Sequence, residues 1–233
     1  MRRSLVLRVL LPLTVAGAGA CHAPVSLPKS AIARQQVLGE RILVALAKAR
    51  GGSPAATADL ALAVSALKVP AQVPRLRLLV AGDDALLAAG AAIALCGIEA
   101  RDGGKSGLAD LARTDTNPFV REACRQELSH TAPALSEGLP PHPELIAPLF
   151  RRRSGDVLPL IESGSAEHRR EGLRLLLTGP DRPGNLRLDG DIVHALSDSD
   201  RRVALLASAV LLERSLASSP PPADAAVPDA RLR

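Results

Sequence analysis

Four segments of this chain can be laid over one another. Arg121–Leu128 (REACRQEL), Arg170–Leu177 (REGLRLLL) and Arg202–Ala209 (RVALLASA) share one pattern, and Ala88–Leu95 (AAGAAIAL) fits it without the arginine. They start 33, 49 and 32 residues apart, and the long middle interval holds a Pro-rich stretch, 129–144, that reads as an insertion. Each segment follows a short apolar one: VPRLRLLVA, SGLADLAR, DVLPLIES and DIVHALS. The polar turns between them (GDD, TDTNP, GSAEH, DSD) carry residues suited to capping a helix. A helix pair recurring with a period in the thirties cannot bury its apolar face alone. Stacking such pairs gives one continuous core.

Composition agrees. Of 233 residues 47% are hydrophobic, mostly Ala, Leu and Val, with two Phe and neither Tyr nor Trp. Ala and Leu favour helices, whereas strands favour aromatic and β-branched side chains. Ser53-Pro54 pairs a cap with proline in the first turn and opens a helix carrying Leu60, Val64 and Leu67 on one stripe. Asn117-Pro118 repeats the device ahead of Val120, Cys124 and Leu128.

The repeated unit resembles the HEAT-repeat family, particularly its short bacterial form. Asp115, Val120 and Arg121 match that family's Asp…Val-Arg signature; Arg170 and Arg202 keep the arginine without the acid at matching spacing. The resemblance covers roughly 32–216 and implies an all-α fold, a right-handed α-solenoid of about four to five HEAT-like helix pairs. The expected organisation is a signal peptide (1–20), a tether (21–30), the solenoid (31–216) and a disordered Pro/Ala/Ser-rich tail (217–233).

The front end reads as an export leader: basic MRRSLVLR, apolar VLLPLTVA, then GAGA. The apolar run is far shorter than the ~20 residues that span a bilayer. AGAC (18–21) resembles the lipobox of bacterial lipoproteins, with Ala18 where that family usually has Leu. This implies lipidation of Cys21 and a place in the cell envelope, periplasmic or on an outer-membrane face; ordinary cleavage after Ala20 is the alternative. Without Arg2, Arg3 and Arg8, 26 basic residues face 24 acidic ones. That balance, with the scarcity of aromatic stacking platforms, argues against a nucleic-acid surface. In an exported chain Cys96 and Cys124 could pair; the reading favours two small buried apolar side chains on helices.

Motifs of chemistry are weak. GGKSG ends like a phosphate loop, but the first glycine that motif needs falls at Glu99, so nucleotide binding is not expected, and Ser106 reads as the next helix's cap. There is no G-x-S-x-G elbow. His22, His130, His142, His168 and His194 lack metal-ligand spacing, and Cys124, His130 and His142 form only a loose trio. No metal or cofactor is expected. The basic runs 151–153, 169–170 and 201–202 read mainly as solvated faces and as pairs with acids of adjacent repeats. If instead they form one ridge, Arg121, Arg170 and Arg202 are the candidate partner-binding residues. The function expected is a non-catalytic, envelope-anchored protein-interaction scaffold. The alternative, an exported enzyme accessory, rests on the likeness of short HEAT-like repeats to those of phycobilin lyases.

Overall fold

The computed structural model describes residues 26–49, 53–129, 157–178 and 186–218. Among these it is all-α, with ten α-helices, one 3-10 turn at Pro70–Gln72 and no strand. The leader, Cys21, the insertion at 130–156 with Arg151–Arg153, and the tail beyond Ser218 lie outside the described residues.

The helices are α1 (Ala31–Lys48), α2 (Pro54–Ser65), α3 (Val73–Val80), α4 (Ala85–Asp102) and α5 (Gly104–Thr114). They continue with α6 (Pro118–Ser129), α7 (Leu158–Ile161), α8 (Ala166–Thr178), α9 (Leu186–Ala195) and α10 (Arg201–Ala217). The four aligned segments fall in α4, α6, α8 and α10, and the short apolar ones in α3, α5, α7 and α9. Caps form where the chemistry demands them. Ser53 Oγ accepts from Ala56 N at 3.3 Å, and Asn117 Oδ1 accepts from Phe119 N at 2.9 Å. Asp84 and Asp200 each accept from two backbone N–H groups of the following turn.

The helices form two layers. The inner row runs α6, α4, α2, α10, α8, each packed on the next, and α5, α3, α1, α9 and α7 lie over it. Inner helices α2, α4 and α10 bury residues on all sides, as befits helices enclosed by neighbours. Their alanines let backbones approach closely. At Gly90 the approach is tightest, since a Cβ there would meet the Ala61 carbonyl oxygen at 2.3 Å. One core cluster runs from Leu38 and Ile42 through Val64, Leu76, Leu95 and Val120 to Leu173, Ile192 and Leu206.

The order of that row differs from the order of the sequence. Repeats stacked as read along the sequence would put the last pair at an end, far from the first. Instead α10 packs between α2 and α8, and α1 lies mainly on α10 rather than on α2. Each upper helix whose packing spans two inner ones, α5 over α6 and α4 and α1 over α2 and α10, obeys one stacking direction. By these contacts the pairs follow the order α7/α8, α9/α10, α1/α2, α3/α4, α5/α6. The described chain therefore starts and stops in the middle of the row. Ser215 Oγ donates to the Ala31 carbonyl at 3.4 Å, and Gln35 Nε2 to the Ser215 carbonyl at 3.2 Å.

Ser106 does not cap a helix. Helix α5 begins at Gly104, whose φ of +61° suits glycine, so Ser106 already lies in its first turn. The Glu99 side chain folds over this turn and fills the space that Cβ atoms on Gly103 and Gly107 would need. The residue that breaks the phosphate-loop spacing thus explains two of its glycines.

Candidate functional site

The densest polar constellation lies at the seam where the C-terminal pairs meet α2. Asp59 is the only charged residue of α2 and is fully buried. A carboxylate there must be paired. Its Oδ1 accepts from Arg174 Nε at 2.7 Å and its Oδ2 from Arg202 Nε at 2.5 Å, so one acid on α2 holds arginines from α8 and α10. Arg202 Nη2 also donates to the Ala55 carbonyl at 2.9 Å, and Arg174 Nη1 to Glu171 at 3.3 Å. Burial would lower the Arg174 pKa, but hydrogen bonds and charge from Asp59, then Glu171, outweigh it and hold the guanidinium above its ordinary value.

Neighbouring ties extend the seam. Arg170 pairs with Glu167 on its own helix and lies 3.7 Å from Asp200 at the start of α10. Arg169 grips Asp198 through two nitrogens at 2.7 and 3.1 Å and donates to the Ser163 carbonyl. Lys68, just past α2, reaches Glu213 on α10 at 2.7 Å, and Arg41 on α1 donates to the Leu196 carbonyl at 2.8 Å.

The candidate arginines therefore do not form one free ridge. Arg121 donates to the carbonyls of Asp115 and Thr116, fastening the turn before its own helix, while Asp115 receives Arg77 at 2.6 Å. Arg170 and Arg202 join repeats at the seam. The pairing expected of Arg170 and Arg202 with acids of adjacent repeats is met by Arg202 on Asp59 and, at 3.7 Å, by Arg170 beside Asp200, although the closer acid to Arg170 is Glu167 of its own helix; the centre of the seam, Asp59, has no counterpart in the sequence reading. The signal was present: a lone acid in PAATADLALAVS, with no other charge until Lys68, has to find a cation.

Cys96 on α4 and Cys124 on α6 form a disulfide, with 5.2 Å between Cα atoms, and both are buried. Burial was rightly expected; the reading that favoured it over a bond is corrected, since these helices are neighbours in the inner row. Cys124 is thereby removed from the loose trio, and His130 and His142 lie outside the described residues. No group of three or more His, Cys, Asp or Glu able to hold a metal occurs among the described residues. His168 and His194 are exposed, and His168 Nδ1 lies 3.1 Å from Ser163 Oγ.

Two hollows flank the seam. A polar one of about 430 Å³ is lined by Glu162, Ser163, Asp191 and His194, among others, with Arg169 and Asp198 in its wall. A more apolar groove of about 1100 Å³ lies between α1 and α10. No described helix is long and apolar enough to cross a membrane. No protein-family model, no curated protein and no solved structure matches this chain.

Proposed function

We propose that this chain is a non-catalytic, envelope-anchored interaction scaffold built from HEAT-like repeats, exported by its leader and held by a lipid on Cys21. The observation that carries the reading is the row itself: five helix pairs over one continuous core, with many charged side chains turned into ties between helices. Such a row offers long helical faces rather than a cleft with converging reactive groups. Partner contact through Arg121, Arg170 and Arg202 would compete with their intramolecular bonds. This reading therefore gives those arginines the task of holding repeats in register, and gives partner contact to the exposed faces of the upper helices.

The anchor acquires a geometry from the order of the row. Helix α1 starts beside the end of α10, so a tether on Cys21 would hold the row by its middle and leave both ends free. Cys21→Ser is expected to move the protein from the membrane fraction to the soluble fraction. An unchanged distribution and an unchanged mass of the mature N-terminus would refute the anchor. Photo-crosslinkers on the upper helices, used in intact cells, are expected to capture a specific envelope protein; capture of none from any position would refute the scaffold.

A further inference from the structure

Helix α1 turns an unusual face outward. Val37 and Val44 are 40% and 42% exposed, seven residues apart and so on the same side of the helix. Between them sit exposed Glu40 and half-buried Arg41. Together with Gln36, Ala45 and Lys48 they form one wall of the 1100 Å³ groove, whose other wall includes Ala204, Leu205 and Ser208 of α10. The face is not left bare by want of a neighbour in the row, because α1 already packs on α10 and α2.

The pattern of this face is self-complementary. Let a second α1 lie antiparallel against it, with the two-fold axis passing between Glu40 and Arg41. Val37 then faces Val44 of the second copy, Gln36 faces its Ala45, and Glu40 faces its Arg41; the symmetry repeats each contact. Of the seven α1 positions that line the groove, 36, 37, 40, 41, 44 and 45 map onto one another under this operation, as an isologous interface requires, and Lys48 falls at its edge. A parallel arrangement would instead set Glu40 against Glu40. Arg41 is already steadied by its bond to the Leu196 carbonyl, so its charge stands fixed at the groove wall.

We infer that the α1/α10 groove is the docking site for a second copy of this chain, with α1 of each copy lying in the groove of the other. Two valines and one Glu–Arg pair per copy are a small core beside the roughly 20–30 residues a side of a standard stable interface, so the association is weak. The inference does not rest on the scaffold reading above.

Sedimentation equilibrium of the purified full chain tests it. The mass-average is expected to rise from one chain toward two with concentration. Val44→Asp and Glu40→Arg, both at exposed positions, should each weaken association about tenfold or more while leaving the helical circular dichroism unchanged. Adding Arg41→Glu to Glu40→Arg restores the opposite-charge facing and should recover the dimer. A wild-type chain that stays monomeric at every concentration overturns the inference, as does a dimer indifferent to both single variants. So does a monomer that binds a different protein through Val44. A monomer that still crosslinks to an envelope partner defeats this inference alone, and a dimer that captures no other protein defeats the scaffold alone.

Discussion

Two contacts within the same inner row are made in different ways. Helices α4 and α6 meet through apolar side chains such as Val120 and are bonded by Cys96–Cys124. Helices α2 and α10 meet through apolar side chains too, but their contact carries the buried Asp59 with Arg202 and the Lys68–Glu213 pair, and α8 adds Arg174 to the same acid. The first contact joins repeats that follow one another in sequence. The second joins the N-terminal pairs to the C-terminal ones, across 143 residues between Asp59 and Arg202. Apolar repeat faces are nearly interchangeable and leave neighbour choice open. A buried acid paired with two particular arginines is more selective, because a neighbour without those cations would leave its charge unpaired.

The seam should be the more fragile of the two to a single change. Asp59→Ala leaves Arg174 and Arg202 facing each other without their acid, and is expected to lose about 3–5 kcal/mol in urea unfolding. A loss under about 1 kcal/mol would mean that the seam is held elsewhere. Replacing all three with apolar residues of similar size (Asp59→Leu, Arg174→Leu, Arg202→Met) should recover most of that loss, as apolar substitutes for buried ionic groups often do. If the triple variant unfolds as easily as Asp59→Ala, the arginines do more than answer one acid.

The α4–α6 contact should respond next. Cys96→Ala with Cys124→Ala removes a cross-link spanning 28 residues and is expected to cost about 3–4 kcal/mol. Thermal unfolding with and without reductant checks it. Reduction should lower the wild-type midpoint and leave the double variant unmoved. A variant as stable as the oxidised wild type would show that packing alone holds this contact.

The elements were legible because their signals are local. Repeated apolar spacing placed α4, α6, α8 and α10, and caps such as Ser53 and Asn117 marked where helices begin. Ser106 misled because the same serine that can cap a helix can also sit in its first turn, and the positive φ of Gly104 decided the start. The order of the row was not legible, because a stripe such as Leu60, Val64 and Leu67 fits any apolar neighbour. Order lies in singular residues instead: an acid at 59 whose partners are distant in sequence, and two cysteines whose separation in space no count reveals. Nothing in the period forbids the last pair from stacking on the first, and the 49-residue interval gives the chain length to do so.

The smallest effect should come from the largest rearrangement. If the described chain starts and stops inside a regular row, joining Ala217 to Ala31 by a short flexible linker and opening the chain between Ser129 and Val157 leaves every helix contact in place. Loop-closure entropy changes slowly with length, so trading one connection for another should shift stability by about 1 kcal/mol or less. The ends are already tied, through Gln35 and the Ser215 carbonyl and through Ser215 and the Ala31 carbonyl, so the linker orders nothing new. The permuted chain should unfold with wild-type cooperativity and still respond to Asp59→Ala. A permuted chain that folds but no longer feels Asp59→Ala would mean that the seam needs residues 130–156 running unbroken between the ends of the row. One that unfolds in two separate steps would show that the halves on either side of the seam are independent units. In that case the comparison drawn above, between two contacts of a single row, would become one between a domain interior and a domain interface.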